Sequence, residues 1–464
     1  MSTRQGTALF VLCLAVFMVA IDGTVISVAV PSITEELRPS YTEILWIGDI
    51  YSFVLAGLLI TMGNVGDRVG RKRLLLISSV AFGVASAAAA VAPTPGLLIA
   101  ARVLQGVAGA GLMPATLALL RTVFTDTHQR TRAVGIWSAS GAAGAALGPT
   151  VAGVLLEHYY WGSVLLVNLP VVALICGLGY WVLPEARSEN KHPLDLISVV
   201  LSTTGILGVV YGITELAHAG LGFWPAYLAL VAGGLLLAVF IRRERRLPLP
   251  LLDLQLFSQK GFTAAIIAQL VIVFVNVGAL FFLPILLRQV GGFSALQSGL
   301  ALLPESLVAL VTATNTARLV RRWGHRGAMR LGLAAGSAGL ITLGVTVPVS
   351  YAAMVIPLML LGFSFGLVVT AASDLVLSSA SADRTGAATG ISETAFELGN
   401  ALGIALTGSA ISVLYMIITG TAANFTEAVD QTAFTNSLAI NCVLGGVVLA
   451  ALTAVVVRVL RDPA

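Results

Sequence analysis

Six charged residues lie inside long apolar stretches of the sequence, where a charge is costly. They are Asp22, Asp49, Arg102, Glu305, Glu393 and Glu397. Burial raises the affinity of a carboxylate for protons, and a nearby cation lowers it. One side chain can therefore hold a proton while its site is empty and release it when a cationic ligand arrives. This chemistry would exchange protons for lipophilic cations.

Each of these residues also has a purely structural interpretation. A carboxylate can form hydrogen bonds between helices, and Arg102, about five residues from the outer end of its stretch, can extend to the membrane surface. An arginine inside the hydrocarbon costs roughly 2.5–3.5 kcal/mol even on the insertion scale, so it normally faces a polar cavity. A shared, water-filled cavity would explain all six residues. Asp374, near the end of another stretch, fits the membrane interface equally well.

The elements that position these residues are predicted to be transmembrane helices. The chain has 464 residues, of which 57% are apolar and 10% charged, whereas a soluble domain is about 25% charged. A helix needs about 20 mostly apolar residues to cross a bilayer. Fourteen stretches qualify: 8–30, 45–65, 74–92, 97–120, 133–156, 163–183, 195–215, 223–241, 261–287, 296–320, 328–347, 351–376, 386–416 and 434–458. The composition excludes a soluble globular protein and predicts an all-α integral membrane protein.

The distribution of lysine and arginine predicts the orientation of the helices. If both termini are cytoplasmic, 23 of the 26 Lys and Arg residues are cytoplasmic, Arg38 and Arg288 are outside, and Arg102 lies within a span. Positively charged loops stay in the cytoplasm. The first span is long for a cleaved signal peptide and carries Asp22, so we expect it to be retained. The net charge of +4 then reflects membrane topology and not nucleic-acid binding.

Two polar, proline-containing links divide the predicted helices into groups of six, two and six. The links read "PEARSENKHPLD" at 184–195 and "RRERRLPLPLLDLQLFSQK" at 242–260. Proline and polar residues in such runs interrupt helices. The predicted domains are a six-helix bundle at 1–183, an inserted helix pair at 184–260 and a second six-helix bundle at 261–464.

A short internal repeat supports two equivalent halves. The sequence "RVGR" at 68–71 recurs as "RWGH" at 322–325, in each case after the second span of a six-helix group. Parallel repeats are a transporter design in which the substrate site lies between the halves near mid-membrane.

The stretch "GNVGDRVGRKR" at 63–73, here called the signature loop, joins the second and third spans. Its glycines allow a tight turn, and Asp67 can cap a helix or pair with an arginine. The loop resembles the G-x-x-x-D-R-x-G-R-[KR] signature of the major facilitator superfamily, through Gly63, Asp67, Arg68, Gly70 and Arg71. In the second half Arg321 takes the place of Asp67, so that copy is degenerate.

Two further spans resemble the same superfamily. "ARVLQGVAGAG" is similar to its fourth-helix motif, whose arginine, here Arg102, helps proton coupling. The fifth span, "GIWSASGAAGAALGPTVAG", has Gly144, Gly148, Pro149 and Gly153 at the spacing of the antiporter motif that is characteristic of exporting members. Small residues at this spacing also suit ordinary helix packing, and Pro149 favours a bend.

Three more stretches resemble the fourteen-helix drug:proton antiporters, and in particular the exporters of quaternary ammonium compounds. They are "AIDGTVISVAVP" at 20–31, "LWIGDIYSFVLAG" at 45–57 and "SETAFELGNALGIA" at 392–405. The resemblance implies two six-helix bundles plus two helices, with Asp22, Glu393 and Glu397 in proton coupling and substrate binding. The chain departs from that family at "WGSVLLVNLP" (161–170), where the family has W-R-x-x-F-x-x-N-x-P, and in a short loop at about 417–433.

A pocket for lipophilic cations would combine carboxylates with aromatic rings, because ring faces attract quaternary ammonium groups. Asp49 and Glu305 are the predicted charged members. The aromatic candidates are Trp46, Tyr51, Trp137, Phe281, Phe282, Phe363 and Phe396. Most of these aromatic residues could equally face lipid or belong to the aromatic belts at the membrane interfaces.

Other functions are disfavoured by residues that the sequence lacks. There is no G-x-x-x-x-G-K-[ST], so an ion gradient and not ATP would supply energy, with no cofactor. The histidines lie in loops or at helix ends, and Cys13, Cys176 and Cys442 stand alone in apolar helices, so no metal site is predicted. The same pattern argues against a membrane enzyme, and two halves broken by proline and glycine argue against a channel.

We therefore expect a monomeric, multi-pass protein of the bacterial inner membrane, with both termini cytoplasmic. It would export cationic lipophilic small molecules in exchange for protons by alternating access. The alternative is an exporter of an endogenous metabolite, siderophore or lipid. An anionic substrate would need basic pocket residues, and Arg102 is the single basic residue well inside the predicted spans.

Overall fold

The computed structural model is all-helical over the residues it describes. It describes residues 2–39, 41–187, 195–219, 223–247, 252, 254–293, 295–380, 385–420 and 430–459. Within the helices, the side chains of a few residues, Asp49 and Pro149 among them, lie outside this description. Long apolar helices are the form expected in lipid, because a helix satisfies its backbone hydrogen bonds within its own segment.

Residues 3–182 contain seven helices. They are α1 (Thr3–Leu37), α2 (Tyr41–Val69), α3 (Arg71–Ala90), α4 (Pro95–Val123), α5 (Thr127–His158), α6 (Ser163–Leu166) and α7 (Asn168–Val182). Polar side chains at the preceding position define several starts. Ser2 forms a reciprocal capping box with Gln5 at the start of α1, and Asp126 accepts a hydrogen bond from Gln129 N at 2.8 Å before α5.

The remainder forms eight α-helices and a short 3₁₀ helix at Leu254–Ser258. The α-helices are α8 (Leu196–Ala219), α9 (Trp224–Glu244), α10 (Lys260–Gln289), α11 (Ala295–Leu300), α12 (Leu303–Thr346), α13 (Tyr351–Ser379), α14 (Thr385–Thr419) and α15 (Gln431–Val459). The backbone of α12 is not helical at Gly324, where φ is 67° and ψ is 171°.

Among the described residues, twelve helical segments are long and apolar enough to cross a membrane. A thirteenth is α5, which bends by 41° between Thr127–Ala145 and Thr150–His158. One of the twelve segments, Gln297–Thr346, is 50 residues long and includes the break at Gly324. The structure thus gives about twelve spans where the sequence predicts fourteen, because bending divides one helix and two predicted spans form one continuous segment.

The chain divides into two compact units. The first contains residues 1–207, 235–256 and 377–394, and the second contains 208–234, 257–376 and 395–464. Helix α14 therefore begins in the first unit and ends in the second. The predicted boundaries at residues 183 and 260 stay predictions.

The core of the first unit is apolar and lies among helices α1 to α5. Its fully buried side chains include Leu12, Leu75, Phe82, Leu119 and Phe124. Glycines of α5 bring that helix close to α1: a Cβ atom added at Gly144 would lie 2.6 Å from the Phe17 carbonyl oxygen. The close packing leaves little room for solvent around any polar group placed between these helices.

Candidate functional site

Asp22 of α1 and Arg102 of α4 form an ion pair in the interior of the first unit. Arg102 Nη1 lies 2.5 Å from Asp22 Oδ2, and both side chains are 0% exposed. The two residues are 80 positions apart in the sequence and meet because α1 and α4 pack together. The Arg102 side chain therefore does not reach the surface of the protein. From the sequence alone, an extension of Arg102 to the membrane surface was the alternative.

Three neutral side chains surround the pair. Asp22 Oδ1 accepts hydrogen bonds from Asn168 Nδ2 at 2.7 Å and from Gln105 Nε2 at 3.0 Å. Gln105 Oε1 lies 3.1 Å from Arg102 Nη1. Ser86 Oγ accepts from the Gln105 and Asn168 amides at 2.8 and 3.1 Å. These five side chains, all at most 1% exposed, are called the buried polar network below.

The sequence predictions included the two charged members of the buried polar network and missed the other three. Gln105 follows Arg102 by three positions and so lies on the same helix face. Asn168 is the asparagine of "WGSVLLVNLP". An amide inside an apolar span is the signal that would have found both residues. Ser86 carries no comparable signal, because small hydroxyl residues are common in membrane helices.

Tyr51 of α2 covers the guanidinium group. Arg102 Cζ lies 4.6 Å from the centre of the Tyr51 ring, and the Tyr51 side chain is buried. Glycines make room for this contact: an added Cβ at Gly106 would lie 2.8 Å from the Tyr51 carbonyl oxygen, and one at Gly109 would lie 3.2 Å from the Tyr51 hydroxyl. Tyr51, predicted from sequence to line a substrate pocket, contacts the ion pair in this structure.

Three hydrogen-bond donors converge on the Asp22 carboxylate. Removing two charges from water is repaid only when further hydrogen bonds satisfy them, and here Asp22 accepts from one guanidinium and two amide groups. The pair does not open onto solvent in this structure, and a water-filled cavity beside it stays a prediction.

The signature loop contains a second polar site. Asp67 Oδ1 accepts from Gly386 N at 2.9 Å, and Asp67 Oδ2 accepts from Ala387 N at 3.1 Å. Arg71 Nη2 lies 2.8 Å from Asp67 Oδ1. The two backbone amides belong to the first turn of α14, where free N–H groups and the helix dipole attract a negative charge. Asp67 therefore caps α14, across 319 positions of sequence.

Close backbone contacts support this cap. A Cβ atom at Gly63 would overlap the Gly386 carbonyl oxygen, and one at Gly386 would lie 2.6 Å from Asp67 Oδ1. Four residues further along α14, a Cβ at Gly390 would lie 2.7 Å from the Leu59 carbonyl oxygen. The first turns of α14 therefore pack directly on the backbone of α2, and glycine is required where they meet.

Gly70 and its neighbours hold the other side of the signature loop. Gly70 has φ of 113°, a conformation that favours glycine. It precedes α3 without a side-chain cap, and Glu185 Oε1 instead accepts from Lys72 N at 3.3 Å. Arg71 N donates to the Ala186 carbonyl oxygen at 2.8 Å. Arg68 is half-buried.

The predicted residues of the fifth span have different environments. Gly144 and Gly148 contact α1, at Phe17 and Thr24 respectively. A Cβ atom added at Gly153 would have no neighbour within 4 Å among the described residues. Pro149 lies in the bend of α5, and its side chain is outside the described residues.

The other predicted acids are not members of the buried polar network. Glu393 is buried, in the part of α14 that belongs to the first unit. In the second unit, Glu397 is half-buried and hydrogen-bonded to Asn400. Buried Glu305 accepts from Asn276 Nδ2 at 3.4 Å and from Ser306 Oγ at 3.2 Å. The side chain of Asp49 lies outside the described residues.

Most of the predicted aromatic residues make packing contacts within their own unit. Trp137 is buried and donates to Thr116 Oγ1 at 3.1 Å. Phe281 is 48% exposed, whereas its neighbour Phe282 is buried. Trp46, Phe363 and Phe396 are half-buried. Of the seven predicted aromatics, Tyr51 alone has a described contact with the buried polar network.

The sequence predictions also missed a contact in the second unit between the half-buried His325 and the buried Asp374. His325 Nε2 lies 3.0 Å from Asp374 Oδ2, and Asp374 is fully buried. The sequence places His325 in a loop or at a helix end, and it leaves open whether Asp374 lies at the membrane interface or in a polar cavity. Gly324, like Gly70 in the first copy of the repeat, has a positive φ, and the basic residue that follows each glycine pairs with a carboxylate.

Across the described residues, no group of three or more His, Cys, Asp or Glu side chains is arranged to hold a metal ion. The polar sites are therefore built from ion pairs, amides and helix ends.

Comparison with known proteins shows the family to which the chain belongs. A family model described as the Major Facilitator Superfamily matches residues 12–404. The chain belongs to this superfamily. It is therefore a multi-pass membrane protein of a transporter family.

Two similar major facilitators are drug-resistance proteins. The chain is 41% identical over 414 residues to the multidrug efflux pump LfrA of Mycolicibacterium smegmatis, covering 89% of this chain and 82% of LfrA. It is 36% identical over 410 residues to the methyl viologen resistance protein SmvA of Salmonella typhimurium, covering 88% of this chain and 83% of SmvA.

A solved structure supports the major facilitator fold. The human organic anion transporter MFSD10 (TETRAN) aligns with a TM-score of 0.67 and 15% sequence identity, covering 97% of this chain and all of that structure. At this identity the likeness concerns the fold alone.

Proposed function

We propose that the protein is a proton-coupled multidrug antiporter that exports lipophilic and quaternary ammonium cations by alternating access. The observation that carries the proposal is the fully buried Asp22–Arg102 pair inside the buried polar network. A buried charge pair is costly, and replacing one with apolar residues is often neutral or stabilising. A function that depends on the charges accounts for their presence, and exchange of a proton is the reaction that an aspartate can perform there.

In the proposed cycle Asp22 alternates between two states. In one, the carboxylate is ionised and held by Arg102, Gln105 and Asn168, as in this structure. In the other, Asp22 carries a proton and its donors have moved away. Protons entering from outside favour the second state, and their release to the cytoplasm restores the first. Membrane potential contributes about 2.3 kcal/mol per charge per 100 mV.

The proposed substrates are cations that are partly apolar. Two relatives support this class by name, one as a multidrug efflux pump and the other as a methyl viologen resistance protein, and methyl viologen carries two quaternary ring nitrogens. Glu305 and Glu397 of the second unit are proposed to attract the cationic substrate. Asp49 of the first unit is proposed to do the same. In Glu305 the described hydrogen-bond partners are the neutral Asn276 and Ser306, so its site can accept a cationic ligand.

The proposed topology has fourteen crossings, with both termini in the cytoplasm of a bacterial inner membrane. The 50-residue segment Gln297–Thr346 would be about 75 Å long at 1.5 Å per residue, more than twice a bilayer core of about 30 Å. It is interrupted at Gly324, beside Arg321, Arg322 and Arg326, which supports two crossings joined by a basic cytoplasmic turn. Counting the bent helix α5 as one crossing then gives fourteen.

The proposed cytoplasmic gate is the cap that Asp67 places on α14. This contact ties the last turn of α2 to the first turn of α14, because two backbone N–H groups of α14 donate to the Asp67 carboxylate. Breaking it would free the first turns of α14, and re-forming it would close the same end. The charge of Asp67 is matched by Arg71, so the cap does not leave an uncompensated buried charge.

Ethidium transport by purified protein in liposomes tests the proposal. An imposed proton gradient should drive ethidium movement in the intact protein, and a protonophore should abolish it. Asp22→Asn should remove gradient-driven movement. Asn315→Ala, which changes a half-buried asparagine of α12 outside the proposed site, is the control. Movement of equal rate without a gradient, or with Asp22→Asn, would contradict the proposal.

A further inference from the structure

We infer that Asn168 is a positioning residue that sets the proton affinity of Asp22, and that it links this affinity to the position of α7. The inference deepens the proposed function and rests on it. The inference follows from where the fold places the amide group of Asn168.

Asn168 makes the shortest hydrogen bond to Asp22 from a neutral group. Its Nδ2 atom lies 2.7 Å from Asp22 Oδ1, compared with 3.0 Å for Gln105 Nε2. Both amides reach the same oxygen, whereas Arg102 contacts Oδ2. A hydrogen bond donated to the charged form of an acid favours that form. Loss of the Asn168 donor would therefore favour protonation of Asp22.

Among the described side chains, the charged and titratable groups nearest to Asp22 lie on α4 and α2. Helix α4 contributes Arg102, and α2 contributes Tyr51, which contacts the guanidinium. Helix α3 presents the neutral Ser86. Helix α5 has no titratable residue between Arg132 and Glu157. Asp49 of α2 lies two positions before Tyr51, and its side chain is outside the described residues.

Asn168 lies where the short helix α6 meets α7. Helix α6 ends at Leu166, Val167 lies between the two helices, and Asn168 is the first residue of α7. A shift of α7 by about 1 Å would lengthen the 2.7 Å contact beyond hydrogen-bonding range. Gln105 and Arg102 lie together on α4 and do not move with α7. The Asn168 amide is therefore the donor through which motion of α7 would reach Asp22.

The second contact of the amide argues against a role in packing alone. Asn168 Nδ2 also lies 3.1 Å from Ser86 Oγ of α3, so the amide is held between α1 and α3. Ser86 in turn accepts from Gln105 at 2.8 Å. Substitution of Ser86 should consequently have a smaller effect on Asp22 than substitution of Asn168, because Ser86 does not touch the carboxylate.

Labelling with dicyclohexylcarbodiimide tests the inference without requiring transport, since this reagent modifies protonated carboxyl groups. Purified intact protein in detergent is labelled across a pH series, and mass spectrometry quantifies modification at Asp22. With Asn168→Ala, the pH of half-maximal labelling should rise by about one to two pH units. Asn168→Asp should raise it as well, because it replaces the donor with a second carboxylate of nearly the same size.

Two further variants make the result specific. Asn315→Ala should leave the labelling profile of Asp22 unchanged, and Ser86→Ala should shift it less than Asn168→Ala does. If Asn168→Ala does not fold, Asn168→Asp decides the outcome alone because it preserves side-chain volume. A profile in Asn168→Asp that matches the intact protein would overturn the inference.

The failure of this inference differs from the failure of the proposed function. An unshifted labelling profile combined with protonophore-sensitive transport would remove the role of Asn168 and leave proton coupling intact. A shifted labelling profile in a protein whose ethidium transport does not depend on the proton gradient would support the effect of Asn168 on Asp22. The same result would contradict the proposed antiport.

Discussion

Arg102 Nη1 and Asp22 Oδ2 are 2.5 Å apart in the described structure, and neither side chain is exposed to solvent. Two residues of opposite charge thus neutralise each other at a position that water does not reach. This relationship has an energetic consequence that is independent of transport, because each charge becomes uncompensated when the other is removed.

A double-mutant cycle should reveal that dependence. Arg102→Gln should destabilise the folded protein by about 3–5 kcal/mol, because it leaves the Asp22 carboxylate buried without a cation. Adding Asp22→Asn should recover part of the loss, since the double variant buries no charge. Thermal unfolding of the purified variants in one detergent measures both effects. Purely additive losses would show that the two charges are energetically independent.

The ring of Tyr51 should matter more than its hydroxyl group. Tyr51 stacks 4.6 Å from the guanidinium carbon, whereas its hydroxyl lies at a marginal 3.5 Å from the Val19 carbonyl oxygen. We expect Tyr51→Phe to keep near-intact stability and Tyr51→Leu to lose more, by about 2 kcal/mol for the desolvated cation–π contact. Unfolding measurements on both variants provide the comparison. Equal losses in the two variants would assign the contribution to the hydroxyl group and not to the ring.

Much of the fold was predictable from sequence, because apolar stretches and basic loops report directly on membrane helices. The motif residues Asp67 and Gly63 were also identifiable, but not their partner Gly386. A contact across 319 positions leaves no local signal. Nor could sequence separate Tyr51, which contacts Arg102, from Phe281, which is largely exposed. Both are aromatic residues in apolar helices, and only packing distinguishes them.

Gly386→Ala should disable the proposed gate. An added Cβ would overlap the Gly63 carbonyl oxygen and lie 2.6 Å from Asp67 Oδ1, so α14 would have to move away from α2. We expect at least a tenfold loss of ethidium transport, equivalent to about 1.4 kcal/mol. Gly177→Ala is the matched control, since no described atom lies within 4 Å of a Cβ added there. Transport in Gly386→Ala equal to that of the control would exclude the gate.

The pair Asp195–Arg243 should not contribute to pH dependence near neutrality. Hydrogen bonds from the Arg243 side chain, at 2.8 and 3.1 Å, lower the pKa of Asp195 from 3.8 to about 2. A depressed pKa adds stability above pH 3.8, and that stability is lost as the pH falls toward 2. Because the pair is partly exposed, solvent screens it and its contribution to stability is small.

Thermal unfolding of the intact protein and of Asp195→Asn at several pH values checks this expectation. The difference in unfolding temperature between the two proteins should be constant from pH 5 to pH 8. In this range an aspartate is ionised in both the folded and the unfolded state, since its ordinary pKa is about 3.9. A difference that changes within that interval would show that Asp195 titrates there, contrary to its contact with Arg243.

Proton release on binding of a cation tests the exchange chemistry most directly. Purified protein in weakly buffered detergent solution, mixed with tetraphenylphosphonium over a range of pH, should release protons that a pH indicator can count. Asp22→Asn should release fewer protons per bound cation, and Asn315→Ala should match the intact protein. If Asp22→Asn binds the cation and releases as many protons as the intact protein at every pH, Asp22 does not exchange protons for substrate.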